Sequence, residues 1–193
     1  MRYATRLVPL LACMLLSITT QATEVDALKA GVFNPAREAP DFSVRGSDGA
    51  ALTLNHYRGK VVVLGFGYTH CPNVCPATLA VLAMAHRKLG TLGSQVQIIY
   101  LTVDPERDSA ERLKQYLAAF DPSFVGGTGS AAQMAAVRKS YGVTAERVGT
   151  GSDYGVAHSS FMYLITREGK LRALMPFGHK ADDYVHDISM LLN

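Results

Sequence analysis

Val61-Val62-Val63-Leu64-Gly65-Phe66, running on through Gly67-Tyr68-Thr69-His70-Cys71-Pro72-Asn73-Val74-Cys75-Pro76, is the stretch on which the reading of this chain turns. Its first six residues form a short unbroken apolar run, the pattern of a strand buried on both faces of a sheet. A loop follows. Pro76 then suits the first turn of a helix, where its missing N–H would have had no partner anyway. Leu79, Leu82 and Leu89 continue at helical spacing until Gly90 and Gly93 close the element.

Outward from this unit, Val96 to Val103 reads as a second buried strand ending at Asp104-Pro105. A helix from about Ser109 to Phe120 shows Leu113, Tyr116 and Leu117 as its apolar face. Gly126-Gly127 reads as a loop into a helix near Ala131 to Tyr141, stopped by Gly142. A Gly/Ser-rich segment around Gly149 to Gly155 then leads to His158. Phe161 to Ile165 and Leu171 to Leu174 flank a Glu168-Gly169 turn as a hairpin, and Asp182 to Leu192 forms the last helix. Before the central strand, Phe42 to Val44 and Ala51 to Leu54 flank a Gly-rich turn as another short hairpin. A βαβ core closed by a hairpin and a final helix is the thioredoxin order of elements. The expected fold is therefore α/β and thioredoxin-like, a central mixed sheet flanked by helices, with an N-terminal β-hairpin.

With 193 residues and 48% hydrophobic content the chain can bury one good core, and no linker-like stretch divides it. Residues 40–193 are expected to form that domain, preceded by an arm over 23–39 that has no clear period. Arg2 and Arg6 precede an apolar run from Leu7 to Ile18, followed by Thr19-Thr20-Gln21-Ala22, so residues 1–22 read as an export signal. The run falls short of the roughly 20 apolar residues of a membrane-spanning helix. Cleavage near Ala22 is the favoured outcome. A retained anchor, or lipidation at Cys13 after Leu10-Leu11-Ala12, leaves a membrane-proximal position open. The protein is thus expected to be exported and periplasmic. A net charge of +3 from scattered Lys and Arg gives no footprint for nucleic acid.

Removal of the signal would take Cys13 with it and leave Cys71 and Cys75. Two cysteines in an oxidising compartment mean a disulfide, a metal pair or a redox couple. A bridge across so short a loop removes little chain entropy, which argues against a mere staple. A helix N-terminus favours thiolate over thiol, the form that both metal binding and disulfide exchange require. Exchange enzymes usually carry Cys-x-x-Cys, and the extra residue here widens the turn enough for two thiolates to share an ion. A metal site would need a third ligand. His56, His86, His179 and His186 read as surface or boundary residues. His70, beside Cys71, points the other way in an extended loop and suits a positioning role. His158, just before an apolar strand, is the best candidate. Two thiolates and an imidazole form a soft set suited to Cu(I), and to Cu(II) if another donor joins. Asp104, in the loop Asp104-Pro105-Glu106-Arg107-Asp108, is either part of a capped helix start or an outer hydrogen-bonding partner of the site. A periplasmic thiol-disulfide oxidoreductase using Cys71 and Cys75, or a thiol peroxidase, stays open beside the metal reading.

These residues resemble the Sco/SenC proteins, copper-binding factors for cytochrome c oxidase assembly. The resemblance runs from about Pro40 to the C-terminus. It rests on Tyr68-Thr69-His70-Cys71-Pro72-x-x-Cys75-Pro76, Val103-Asp104-Pro105-x-Arg107-Asp108, His158-Ser159 before Met162-Tyr163-Leu164-Ile165, and Phe177-Gly178. It implies a thioredoxin-like fold with Cys71, Cys75 and His158 as copper ligands. It also implies a role as a metallochaperone that delivers copper to, or reduces the thiols of, the binuclear copper site of the oxidase; departures of the chain from the family pattern leave another copper or thiol client open. The chain departs from the family pattern at Asn73 and Ala157, where carboxylates are common, and at Ser109-Ala110, where Thr-Pro is common. Fewer carboxylates near the site weaken its attraction for a cation.

Overall fold

A computed structural model describes residues 27–193; the export-signal reading of residues 1–22, with Cys13, lies outside the described residues. Strand β4 (Val61–Gly67) is buried along its whole length and forms the spine of an eight-stranded sheet. It pairs in parallel with β5 (Val96–Thr102), which pairs in parallel with β6 (Val125–Thr128). On its other side it pairs antiparallel with β9 (Phe161–Ile165), and β9 with β10 (Lys170–Pro176). The hairpin of β2 (Ser43–Gly46) and β3 (Ala51–Thr53) closes the far edge through β6. The mixed sheet is thus as expected.

The four helices are α1 (Val74–Lys88), α2 (Ala110–Ala118), α3 (Ala131–Ser140) and α4 (Ala181–Leu192). Ser109 and Ser130 cap α2 and α3 by accepting from the backbone N–H groups of Arg112 and Gln133. At α4 the Asp183 carboxylate accepts from the Lys180 N–H.

Three segments differ from the sequence reading. Within the arm, Gly31–Glu38 forms an edge strand, β1, antiparallel to β10. The preceding turn is tied down by the buried carboxylate of Asp187, which accepts from the N–H groups of Lys29 and Ala30. Long-range pairing of this kind leaves no local period to read. Gly126-Gly127 is not a loop but the middle of β6, where a Cβ on Gly127 would stand 2.4 Å from Leu101. Close packing, not a turn, explains those glycines. The Gly/Ser-rich segment is the tip of a separate two-stranded ribbon, β7 (Ala145–Val148) with β8 (Gly155–His158).

Candidate metal centre

The loop at the C-terminal end of β4 carries Cys71, and Cys75 is the second residue of α1. The Cys75 N–H, one of the unpaired donors of the helix start, points at Cys71 Sγ, 3.4 Å away. Burial pushes the half-exposed Cys71 thiol up, but the N–H groups of Cys75, Asn73 and Val74, together with the Cys75 thiol, outweigh it and bring Cys71 below the ordinary thiol value. Cys75 lies deeper, 3% exposed, and burial pushes its thiol up to about 12. The pair is therefore unequal, with one accessible sulfur disposed to ionise and one buried sulfur that keeps its proton.

His158 ends β8 and meets this pair from the other side, with Nε2 at 3.7 Å from Cys75 Sγ. Its Nδ1 stands 2.9 Å from the Ser159 carbonyl oxygen. A carbonyl only accepts, so Nδ1 holds the proton and Nε2 turns its lone pair to the sulfur. Burial lowers the proton affinity of the ring, outweighing that carbonyl contact, and keeps it neutral. The structure therefore brings Cys75 and His158 together with Cys71 beside them. Among the described residues, no three His, Cys, Asp or Glu side chains converge as a ready-made cage.

The outer residues divide differently from the sequence reading. Asp104 makes no hydrogen bond to either sulfur among the described residues. Its carboxylate accepts from the Tyr154 hydroxyl at 2.7 Å and pairs with Arg107, and Arg107 and Arg147 each lie 3.6 Å over the Tyr154 ring. Asp104 thereby anchors the β7–β8 ribbon that ends in His158. Tyr68 adds a second tie, accepting from the Val156 N–H and meeting the His158 ring edge-on. His70 turns toward α2, within reach of Thr69 and Arg112. The residue that sequence reasoning missed is Asp108. Fully buried, it accepts from the Thr69 N–H and hydroxyl and from the Thr102 hydroxyl, at 3.0, 2.6 and 2.7 Å. The loop that carries Cys71 is thus nailed to the end of β5. A second carboxylate four residues after Asp104 was the available signal, but local reading makes it a partner for Arg107.

Comparison with known proteins decides the family: the SCO1/SenC model matches residues 32–193. The chain belongs to the SCO1/SenC family. Among curated relatives of this SCO1/SenC chain, it is 39% identical over 132 residues to the mitochondrial protein SCO1 homolog 1 of Arabidopsis thaliana. That match covers 66% of this chain but only 39% of the relative's own length. Among solved structures, the fold resembles Bradyrhizobium japonicum ScoI with copper bound. The TM-score is 0.75 and the identity 34%, covering 81% of this chain and 100% of that one. It also resembles BsSco, described as a member of the Sco family of cytochrome c oxidase assembly proteins and carrying a disulfide switch. There the TM-score is 0.64 and the identity 27%, over 81% of this chain and 94% of that one. The thioredoxin-like fold is thus that of the family.

Proposed function

We propose that this chain is an exported, periplasm-facing copper-binding assembly factor that holds copper by Cys71, Cys75 and His158 and passes it to the binuclear copper site of cytochrome c oxidase. The observation that carries the reading is the meeting of Cys75 Sγ and His158 Nε2 at 3.7 Å, with the imidazole neutral and its lone pair turned inward. Two donors sharing one ion, through bonds of about 2.3 Å to sulfur and about 2.0 Å to nitrogen at a trigonal angle, stand about 3.7 Å apart. Cys71, half-exposed over the helix start, supplies the third donor and the route by which the cargo enters and leaves. Soft sulfur and imidazole donors suit Cu(I), and a water or carboxylate would complete a Cu(II) site. Loading replaces the proton on each thiol that still carries one. His70 and Asp104 act from outside, through Thr69 and Arg112 and through Tyr154 respectively. The copper bound by the Bradyrhizobium relative and the assembly role stated for BsSco support this reading.

A second reading is favoured by the inequality of the two thiols. In a thiol-disulfide exchange, the Cys71 thiolate would attack a client disulfide and Cys75 would resolve the mixed disulfide, leaving the client reduced and the Cys71–Cys75 pair oxidised. Incubation with a copper-site domain of the oxidase separates the two roles. Delivery predicts transfer from the Cu(I)-loaded protein to the reduced client domain. Reduction predicts that the metal-free protein converts the oxidised client domain to its dithiol and loads nothing.

A further inference from the structure

Gly65 and Gly67 interrupt β4, a strand otherwise built of Val, Leu and Phe. Glycine weakens a strand interior, so two in one buried strand mark the close approach of another group. That group comes from the neighbouring strand β5. A Cβ on Gly67 would fall 1.7 Å from the Tyr100 hydroxyl and 2.9 Å from Cys75 Sγ. One on Gly65 would fall 2.6 Å from Met162 Cε and 3.3 Å from the Tyr100 ring. The strand is thus pared back to let the phenol reach the thiol, so that oxygen and sulfur flank the same point. Tyr100, Cys75, His158 and Met162 together line a small cavity of about 20 Å³.

The Tyr100 ring is 2% exposed, and its hydroxyl has no hydrogen bond of ordinary geometry among the described residues. Its nearest polar neighbour is the Cys75 sulfur, close enough for a hydrogen-bonding contact but off ordinary geometry, and a thiol sulfur is a weak acceptor. A buried hydroxyl served only by a misaligned thiol is destabilising and calls for a reason, since phenylalanine would fill the same space without that cost. A phenol carries its proton at neutral pH and can donate it. A sulfur that has lost its proton is a far stronger acceptor than a thiol.

We infer that Tyr100 is a positioning residue whose hydroxyl is poorly bonded while Cys75 is a thiol and donates fully to the Cys75 sulfur once that sulfur is a metal-bound thiolate. This rests on the copper centre proposed above. Two thiolates and one Cu(I) leave a net negative charge in a buried site, and the phenol stabilises it there.

The test compares the full chain with Tyr100→Phe. The metal-free variant should melt at the same temperature as the parent or higher, because it loses a buried hydroxyl that has no well-formed hydrogen bond. Its Cu(I) affinity, read by competition with a chromophoric chelator, should fall about tenfold or more, and the sulfur-to-copper charge-transfer band of the Cu(II) form should shift. Opposite signs for stability and affinity are the signature that a merely structural tyrosine would not give. A metal-free variant that melts lower, as expected if a water in the cavity already serves the hydroxyl, overturns the inference. So does unchanged affinity with an unchanged band, which would leave the copper centre itself standing. A parent chain that takes up no copper overturns the copper centre and this inference with it.

Discussion

Cys71 and Cys75 hang from β4 and α1, at the spine of an eight-stranded sheet, while His158 arrives on β7–β8, a two-stranded ribbon that shares no ladder with that sheet. The cysteine side is fixed by continuous burial and by Asp108, which clamps Thr69 to the end of β5. The histidine side is fixed by a few side-chain ties, chiefly Tyr154 on Asp104 and Val156 on Tyr68. One loop, 104–108, therefore positions both halves through two carboxylates. The difference teaches that donors from a rigid scaffold and from a lightly tethered ribbon can meet with defined geometry, and that the tethered one is the half expected to move when cargo is exchanged.

The sharpest way to break this comparison is on the cysteine side. Replacing Cys71 or Cys75 by Ser should weaken Cu(I) binding by more than about 100-fold, beyond what loss of an outer partner causes, as read by chelator competition. Asp108→Ala should come next. Loss of a buried carboxylate with three hydrogen bonds leaves Thr69 and Thr102 unpartnered and should lower global stability by about 3 kcal/mol in urea unfolding, with copper affinity falling as the Cys71 loop loosens.

Tyr154→Phe probes the other side and should be milder, about 1 kcal/mol or less in global stability. Its effect should concentrate in faster hydrogen exchange of Gly155–His158 and faster copper release. A global loss as large as that of Asp108→Ala would show that the ribbon is integral to the core. The smallest effect is that of pH on the metal-free protein. His158 has a lowered proton affinity when folded, so below about pH 6.5 the unfolded chain takes up a proton that the folded chain refuses. Stability should therefore fall on acidification through that window, and His158→Ala should flatten this part of the profile. Copper affinity should instead rise with pH, by at least about a decade per unit near neutrality, because Cys75 must release its proton.

The same division explains what was legible in the sequence. The apolar run at Val61, the leucine spacing of α1 and the Cys-Pro motif are local signals, and they place the thiols at a strand end beside a helix start. The ribbon was hidden because its Gly149 to Gly155 tip reads as loop, and its strands bury too little for alternation to show. Edge strand β1 was hidden because what orders it, pairing with β10 and the Asp187 carboxylate, lies more than a hundred residues away. His158 could be singled out from its place before an apolar strand, but not its Nδ1-protonated tautomer, which depends on the Ser159 carbonyl. Asp104 and Asp108 were visible as a pair of acids. Which clamps the cysteine loop and which the ribbon is decided by Thr69, Thr102 and Tyr154, residues that no local pattern joins.

The most direct test of a centre assembled from these two sides is elemental analysis of copper in the purified, reduced protein and in His158→Ala after exposure to Cu(I). The account predicts about one copper per chain in the parent and a clear loss in the variant. Equal copper in both would contradict the role given to His158, and an active dithiol with no copper in either would leave only the thiol-disulfide reading.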